Sequence, residues 1–505
     1  MKFNFIKRKT TRVTNYEGAK AFTLSSKMEL YTAVVTAGFG SFYYTSEKER
    51  IDRIRALVAQ VDAEFVAKLA VYARTKMHMR SIGLVLVTEL ARIHNGDNLV
   101  SKAVTGVVQR GDEITELLAC YAASNERTGF KKLNKLSKQV QKGLSASFNK
   151  FDEYQFAKYD RQTDITLRDA LFLVRAKAES EEKQALFDKI AEQKLAAAYT
   201  WETELSRLGQ QEFASQKEKV AAVAAKWEEL ISSGKIGYMA LMRNLRNILE
   251  AGVDAQTIQV VGERIASARE VERSKQLTFR YLSAYREIEK MKSAYSSYIM
   301  DCLEEAAIHS VANLKGFDLN TSVVIACDVS SSMFQTVSKR STIRMYDIGL
   351  MLGMMLNLKS KNVLTGIFGN TWKTKNLSSR HILANTQKLT KIEGSVGYST
   401  NGYKVIEYLI KKGIAVDKVM MFTDCQMWNS NNNKHINDLW KTYKSTIAAD
   451  AKLYLFDLAG YGNTALKTEA NDVYLIAGWS DKIFDALNSL EAGESVLSNI
   501  ERIEL

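Results

Sequence analysis

The chain has 505 residues, of which 46% are hydrophobic and 25% are charged, and its formal net charge is +13. These proportions are those of a globular protein with about two to four domains. No apolar stretch reaches the roughly 18 residues of a membrane-spanning helix, and the N-terminus lacks the apolar core of a signal peptide. We therefore expect a cytoplasmic protein without a membrane partner, and the basic excess suggests a polyanionic one.

Cysteine and proline usage add two observations. Cys120, Cys302, Cys327 and Cys425 lie far apart with no CxxC pair, which favours buried thiols over a disulfide framework. The sequence contains no proline, although average usage of about 5% predicts roughly 25. We hypothesise that proline was removed by design, and we expect glycine, asparagine and aspartate to form the turns.

Amphipathic patterns dominate residues 1–315 and predict one helix after another. Apolar residues recur at spacings of three and four, for example in residues 64–75, 81–93 and 181–199. The breaks between these segments are short and polar. Many helices of about 10 to 20 residues with short connections predict a helical-repeat, HEAT-like arrangement. No clean period is visible in the sequence itself.

A basic segment lies within this helical part. Residues 129–150 carry six lysines and no acidic residue. Four of these lysines recur at spacings of four, three and four, which places them on one helical face, while Val140 and Leu144 lie on the other side. A phosphate backbone would neutralise such a face, and binding would then weaken with salt. A solvated surface without a ligand is the alternative interpretation.

The pattern changes near Phe317, where short apolar strands begin to alternate with helices. Strands are predicted near 323–327 and at 362–369, 418–424, 451–460 and 472–478, with helices at 344–358, 400–412, 435–446 and 481–490. This alternation predicts a parallel, doubly wound sheet. Ligands of such sheets bind beyond the carboxyl ends of the strands.

Oxygen-bearing side chains gather at the predicted strand ends. Asp328, Ser330 and Ser332 form D-x-S-x-S after the first strand, Thr400 stands where a loop enters a helix, and Asp424 ends another strand. Hard cations take oxygen ligands, so these residues predict a divalent-cation site. Mg²⁺ is expected, with Mn²⁺ and Ca²⁺ as alternatives.

The same residues allow other interpretations. The serines would cap the following segment and Asp424 would close a turn if the role were structural. A serine hydrolase is disfavoured because there is no G-x-S-x-G elbow and the histidines are scattered. Zinc is disfavoured because it prefers thiolate and imidazole ligands.

DVSSSM at 328–333, Thr400 and FTD at 422–424 resemble the metal-ion-dependent adhesion site of von Willebrand factor A domains, which are Rossmann-like. The resemblance implies that Ser330, Ser332 and Thr400 coordinate a metal, while the two aspartates assist, often through water. It also implies an open coordination position for an acidic group of a partner.

The helical part resembles the TROVE module in residues 9–31, 65–81, 238–249 and 274–287. A TROVE module followed by an A domain is the order found in the Ro autoantigen family and its bacterial Ro-like relatives. This resemblance implies a ring of helical hairpins closed by the A domain. It further implies that Y RNA binds outside the ring, that single-stranded 3′ ends of misfolded noncoding RNA enter its central hole, and that polynucleotide phosphorylase is a partner.

We therefore expect a TROVE module at 1–315, an A domain at 316–490, and a C-terminal segment at 491–505 that packs back on the ring. The leading hypothesis is a monomeric, non-enzymatic RNA-binding protein that serves RNA quality control. The alternative is a protein-interaction scaffold whose A domain binds an acidic partner. The residues expected to contact RNA are Lys131, Lys132, Lys135, Lys138, Lys142, Lys158, Tyr159, Arg161, Arg168 and Arg243. For Arg243, Asn244 and Arg246, contact with RNA inside the ring and a bond of Asn244 to the backbone between repeats are both open.

Overall fold

The structure is a computed structural model that describes residues 12–37, 44–125, 136–160, 163–276, 278–311, 321–337, 341–378, 380–427, 435–468, 471–479 and 482–505. Two compact units divide these residues. The sheet unit comprises the described residues of 1–54 and 265–497, and the helical unit comprises those of 55–264 and 498–505. Within the described ranges, no helix is long and apolar enough to cross a membrane.

Helices account for most of the secondary structure. The helices are α1 (Ser26–Val35), α2 (Glu47–Val58), α3 (Ala63–Thr75), α4 (Ser81–Ile93), α5 (Leu99–Val107), α6 (Asp112–Ser124), α7 (Lys138–Phe148), α8 (Glu153–Tyr159), α9 (Leu167–Val174), α10 (Glu181–Ala191), α11 (Trp201–Gly209), α12 (Gln216–Ser232), α13 (Tyr238–Arg243), α14 (Leu245–Ala251), α15 (Ala255–Ala266), α16 (Ala268–Ser274), α17 (Phe279–Glu289), α18 (Ser296–His309), α19 (Met345–Lys359), α20 (Leu383–Thr390), α21 (Tyr403–Lys412), α22 (Ile436–Thr446), α23 (Ile483–Glu491) and α24 (Ser498–Glu501). The strands are β1 (Arg12–Thr14), β2 (Lys20–Thr23), β3 (Ser322–Asp328), β4 (Asn362–Phe368), β5 (Trp372–Thr374), β6 (Lys418–Thr423), β7 (Lys452–Asp457), β8 (Asn463–Thr464) and β9 (Val473–Ala477).

A six-stranded sheet forms the centre of the sheet unit, in the order β5-β4-β3-β6-β7-β9. The pairs β3–β4, β3–β6, β6–β7 and β7–β9 are parallel, and β5 at the edge is antiparallel. Helix α19 packs on β3 and β6, and it is buried along almost its whole length. Val324 and Ala326 of β3 instead belong to a core with Trp440 and Tyr443 of α22. Helices therefore cover both faces, as a doubly wound sheet requires.

A second, three-stranded antiparallel sheet joins sequence segments that lie far apart. Its order is β1-β2-β8, and Phe22 of β2 pairs with Thr464 of β8. The sequence patterns did not predict these strands, because two to four residues are too few to show alternation. The pairing attaches the N-terminal segment to the sheet unit, on the carboxyl side of β7.

The helical unit is built from successive helices that pack on one another. The closest neighbours include α3 with α4, α5 with α7, and α4 with α6. A buried carboxylate lies between α3, α4 and α6: Glu113 accepts bonds from Arg74 at 2.8 Å and from Arg80 at 3.2 Å. The backbone N–H of Gln109 donates to its second oxygen at 2.7 Å. The carboxylate thereby fastens three helices at one point.

The predicted fold class is confirmed: a mostly helical part precedes an α/β part whose sheet is parallel and doubly wound. The basic helix expected over 129–150 is observed from Lys138, and residues 126–135 lie outside the described residues. At the C-terminus, α24 packs on α3, and Lys68 Nζ donates to the carbonyl of Glu501 at 3.0 Å. The domain boundaries and the closed ring stay predictions.

Candidate functional site

The first candidate site lies where β3 and β6 end side by side. Cys327 of β3 is paired with Phe422 of β6, so Asp328 emerges next to Thr423. The hydroxyl of Thr423 donates to Asp328 Oδ2 at 2.7 Å. Asp424 follows directly on the neighbouring strand. The parallel register therefore places both predicted carboxylates at one edge of the sheet.

The D-x-S-x-S segment turns back on itself immediately after β3. The backbone N–H of Ser330 donates to Asp328 Oδ1 at 2.9 Å, and a 3-10 turn follows at Ser331–Phe334. The hydroxyl oxygens of Ser330 and Ser332 lie 3.3 Å apart. Ser331 between them is exposed. The alternate serines thus share one side of the loop, as their spacing predicted.

The loop that carries Thr400 is fixed by backbone bonds to both neighbouring loops. The N–H of Ser331 donates to the carbonyl of Tyr398 at 2.9 Å, and the N–H of Asn401 donates to that of Gly369 at 3.0 Å. A Cβ at Gly369 would collide with the backbone of Gly397. Only glycine allows the two loops to approach so closely, which holds Thr400 beside the D-x-S-x-S turn.

The loop after β6 contains a strained residue. Cys425, which follows Asp424, has a φ of 62°, in the left-handed region. Such a conformation costs about 1–3 kcal/mol in a residue other than glycine, and it is found mostly where a site requires it. The N–H of Gln426 donates to Asp424 Oδ1 at 3.0 Å, so the other carboxylate oxygen, Oδ2, takes no part in this hydrogen bond.

Burial makes this edge electrostatically unfavourable for two carboxylates. All the predicted ligands are at most 4% exposed. Burial raises the pKa of Asp328 to about 7, and the neighbouring charge of Asp424 adds to the shift. Burial also raises the pKa of Asp424 to about 6, while the hydrogen bond from the Gln426 N–H opposes that rise. A cation bound to both carboxylates would favour their ionised forms and so oppose these shifts.

Two buried oxygens at this edge have no hydrogen-bond partner: Thr400 Oγ1 and Asp424 Oδ2. An unsatisfied buried acceptor costs about 1–3 kcal/mol of stability, so a ligand that bonded to these atoms would recover that free energy. Among the described residues there is no cluster of three or more His, Cys, Asp and Glu side chains that could hold a metal. A metal here would therefore bind to carboxylate and hydroxyl oxygens, a donor set that fits a hard cation.

A third buried carboxylate, Asp457, ends the next strand, β7, and was not predicted. Its Oδ1 accepts from the N–H groups of Ala459 and Gly460 at 2.9 and 2.8 Å, and its Oδ2 has no partner. Burial raises its pKa to about 7. The signal was present in the sequence, since Asp457 ends an apolar strand just as Asp328 and Asp424 do.

The second candidate site is the surface of α7, α8 and α9 in the helical unit. Lys138 and Lys142 are exposed on α7, whereas Val140 and Leu144 are buried, so the predicted faces are observed for these positions. The predicted contacts Lys131, Lys132, Lys135 and Arg161 lie outside the described residues.

Cations and aromatic rings alternate along α8. The ammonium of exposed Lys158 lies 5.8 Å from the ring centre of Tyr154 and 5.6 Å from that of Tyr159. The guanidinium of Arg110 lies 4.1 Å from the Tyr159 ring. Tyr154 itself is 47% exposed. The sequence singled out Lys158 and Tyr159, but nothing in it indicated Arg110, which is nearly 50 residues away.

Helix α9 presents a large aromatic side chain to solvent. Phe172 is 61% exposed, and the guanidinium of Arg168 lies 6.0 Å from its ring centre. The buried positions of α9 are Leu167, Ala170, Leu171 and Val174. Phe172 was not predicted as a contact, although its place four residues after Arg168 puts it on the polar face.

Arg243 lies apart in the chain, at the end of α13, and is exposed. The adjacent Asn244 is buried and donates from Nδ2 to the carbonyl of Ala240 at 2.8 Å. Its Oδ1 accepts from Asn247 at 2.9 Å. Asn244 thus bonds to the backbone of its own helix, and both Arg243 and a bond between repeats stay predictions.

Comparison with known proteins gives family matches over nearly the whole chain. The TROVE domain model matches residues 15–219 and 192–326, and the Ro60 vWA domain model matches residues 322–490. The crystal structure of the Deinococcus radiodurans RO (RSR) protein superposes with a TM-score of 0.57. It covers 93% of this chain and 100% of that one at 17% identity. At that identity, the likeness shows the fold alone.

Curated relatives are similar over shorter stretches. Mouse telomerase protein component 1 is 36% identical over 104 residues, which are 21% of this chain and 4% of that protein. Its rat counterpart is 24% identical over 356 residues, covering 54% of this chain and 13% of that protein. The chain thus spans only a small part of the length of these relatives.

Proposed function

Since the chain belongs to the Ro family of TROVE-domain proteins, we propose that it is an RNA-binding protein that holds noncoding RNA for quality control, without catalysing a reaction. In this proposal, Y-type RNA binds to the outer surface and the single-stranded 3′ ends of misfolded RNA enter the central hole. The protein acts as a monomer and hands RNA to an exoribonuclease such as polynucleotide phosphorylase. The net charge of +13 supports a polyanionic ligand.

The observation that carries the proposal is the combination of exposed cations and exposed rings on α7–α9. Lys138, Lys142, Lys158 and Arg168 offer charges to phosphates, and Phe172 offers an open ring face. An unpaired base stacks on such a ring whatever its sequence. The guanidinium of Arg168 lies 6.0 Å from the Phe172 ring centre, so a cation and a ring face are offered together.

A salt series with a structured RNA that carries a free 3′ tail tests this function. The logarithm of affinity should fall linearly with the logarithm of salt concentration, because bound phosphates release counterions. Replacing Lys138 and Lys142 together by glutamate should weaken binding. The same change should lower the slope by about 0.7–0.9 for each phosphate that is no longer neutralised.

The matched control replaces Lys217 and Lys219, two exposed lysines of α12 in the same unit, by glutamate. It makes the same change in net charge away from the proposed surface. Negligible affinity of the unmodified protein, or an equal loss of affinity in both double variants, would contradict the proposed RNA surface.

A second candidate function is binding of an acidic partner through a divalent cation in the sheet unit. It is favoured by the orphaned oxygens of Thr400 and Asp424 and by the crowding of buried carboxylates. Ser330, Ser332 and Thr400 would hold the cation together with Asp328 and Asp424. Mg²⁺ is the expected ion, and Mn²⁺ and Ca²⁺ are the alternatives. The cation would supply a positive charge that binds a partner's carboxylate.

The direct test is a titration of EDTA-treated protein with Mn²⁺, followed by the electron paramagnetic resonance signal of the free ion. One saturable site is expected in the unmodified protein and none in the Asp328→Ala variant. Equal uptake by both proteins, or no saturable uptake at all, would contradict a metal site at this edge.

A further inference from the structure

The N-terminal turn at residues 15–18 is docked on the loop that carries Asp424. Asn15 Nδ2 donates to the carbonyl of Met427 at 2.9 Å, and the N–H of Tyr16 donates to Gln426 Oε1 at 2.9 Å. Asn15 is only 6% exposed although it is polar. These bonds join residues that are more than 400 positions apart, and their acceptors lie two and three positions after Asp424.

The docked turn is rigid in itself and presents Glu17 at its tip. Asn15 Oδ1 accepts from the N–H groups of Glu17 and Ala19 at 3.1 and 2.8 Å. Gly18 has a φ of +79°, which closes the turn with a 3.0 Å bond from its N–H to the carbonyl of Asn15. A turn so completely bonded holds its tip residue in one place.

Tyr44 connects Glu17 to the predicted ligands. Its hydroxyl donates to Glu17 Oε1 and is itself hydrogen-bonded by Ser332. Its ring stacks on that of Tyr16 at 4.9 Å, with 9° between the planes. Burial raises the pKa of Tyr44, so its hydroxyl stays a neutral donor. Hydrogen bonds therefore connect Glu17 of the turn, through Tyr44, to the hydroxyl of Ser332.

Glu17 is half-buried, and the Tyr44 hydroxyl that donates to it keeps its carboxylate next to Ser332's hydrogen-bond partner. A carboxylate in this position is the same chemical group that an acidic partner would bring to a bound cation.

We propose that Glu17 is an internal carboxylate that competes with external carboxylates for the cation, and that Tyr44 holds it beside the site. The inference rests on the divalent-cation site proposed above and is independent of RNA binding. A carboxylate of the same chain competes without the entropy loss of a second molecule. A partner must therefore displace Glu17 before it reaches the cation.

Mn²⁺ and acetate serve as the probes. Water-proton relaxation of bound Mn²⁺ reports how many of its positions are open to water, and a fall on adding acetate reports carboxylate binding. In the Glu17→Gln variant, we expect a higher initial relaxation and an acetate affinity that rises several-fold, because the internal competitor is removed. Tyr44→Phe, which keeps the stacking on Tyr16, should change both quantities in the same direction but by less.

The control is Glu212→Gln, which removes an exposed carboxylate of the helical unit. Thermal unfolding should show that each variant is folded before the Mn²⁺ data are compared. If Mn²⁺ binds to a site that depends on Asp328, but relaxation and acetate affinity are equal in unmodified protein and Glu17→Gln, the internal-ligand proposal is overturned and the metal site stands. If Mn²⁺ does not bind at all, both are overturned. RNA affinity, measured in parallel, should be equal in all these proteins, and a loss confined to Glu17→Gln would also overturn the proposal as stated.

Discussion

The two units contain buried carboxylates of opposite kinds. In the helical unit, Glu113 is fully buried and bonded to Arg74 and Arg80. In the sheet unit, Asp328 and Asp424 are as deeply buried, but their hydrogen bonds come from hydroxyls and backbone N–H groups. A buried carboxylate paired with arginine already has its charge balanced within the protein. A buried carboxylate that has only neutral hydrogen-bond donors needs a proton or a cation from solution.

The largest effect should follow from breaking the buried ion pair of Glu113. Glu113→Ala leaves the guanidinium of Arg74, which is 11% exposed, without its partner. Removing one partner of a buried pair destabilises by about 3–5 kcal/mol. Urea unfolding followed by circular dichroism should show this loss. The control Glu116→Ala removes a carboxylate that binds to Arg80 but is 45% exposed, so a loss below about 1 kcal/mol is expected. Equal losses would mean that burial does not distinguish the two.

A divalent cation should stabilise the protein by binding to the site of Asp328 and Asp424. Saturating Mg²⁺ should raise the Tm of the unmodified protein, because binding at 100 times the Kd stabilises by about 2.7 kcal/mol. Asp328→Asn should abolish that rise, since it removes a charge that faces the cation. Asp438→Asn, at a 66% exposed position of the same unit, is the matched control and should keep the rise. A full response in Asp328→Asn would place the cation elsewhere.

The exposed surface of α9 gives a smaller effect, confined to ligand binding. Phe172→Ala should weaken binding of a single-stranded RNA tail by about 1–3 kcal/mol, the range of one base stacked on an aromatic ring. Stability should hardly change, because the ring contributes little to the core at 61% exposure. Val220→Ala, at a 47% exposed position of α12, is the control. A fall in Tm without a change in affinity would assign Phe172 to packing.

The site of Asp328 and Asp424 should also make stability depend on pH. Asp328 and Asp424 have pKa values raised to about 7 and about 6, above the ordinary value of about 3.9. At pH values between the ordinary and the raised pKa, the folded protein binds more protons than the unfolded chain. The stabilisation is therefore complete below about pH 4 and is lost as the pH rises through 6 and 7. The Tm of EDTA-treated protein, relative to Asp328→Asn, should fall from pH 5 to pH 8.

Saturating Mg²⁺ should reverse this trend. Protons and the cation compete for the same carboxylates, so the Tm rise caused by Mg²⁺ should grow with pH. A Tm difference that is flat over the range, with or without Mg²⁺, would show that the pair keeps one charge state throughout.

The sequence predicted those parts of the molecule that depend on short-range patterns. The apolar strand before Asp328 and the alternate serines after it are local, and parallel strands necessarily end at one edge. The side chains of α7 also lie as helical spacing predicts. Each of these features needs only a few consecutive residues to specify it.

Features that depend on distant contacts were not predictable in this way. Nothing near Glu17 indicates that it is connected to Ser332 through Tyr44, because the turn is placed by Gln426 and Met427. Arg110 reaches Tyr159 only through the packing of the helical unit. Phe172 was not predicted because an aromatic residue in an apolar run is usually assigned to the core. The strands β1, β2 and β8 are too short to carry a period.

The pairing of β2 with β8 also constrains how the protein is made. Phe22 leaves the ribosome about 440 residues before its partner, Thr464. At about 5–20 residues per second, the first strand waits roughly 20 to 90 s for the last part of its sheet. During this interval the apolar N-terminal segment has no partner within the sheet unit. Chaperone demand during translation should therefore include residues 12–37, which are synthesised long before the strand with which β2 pairs.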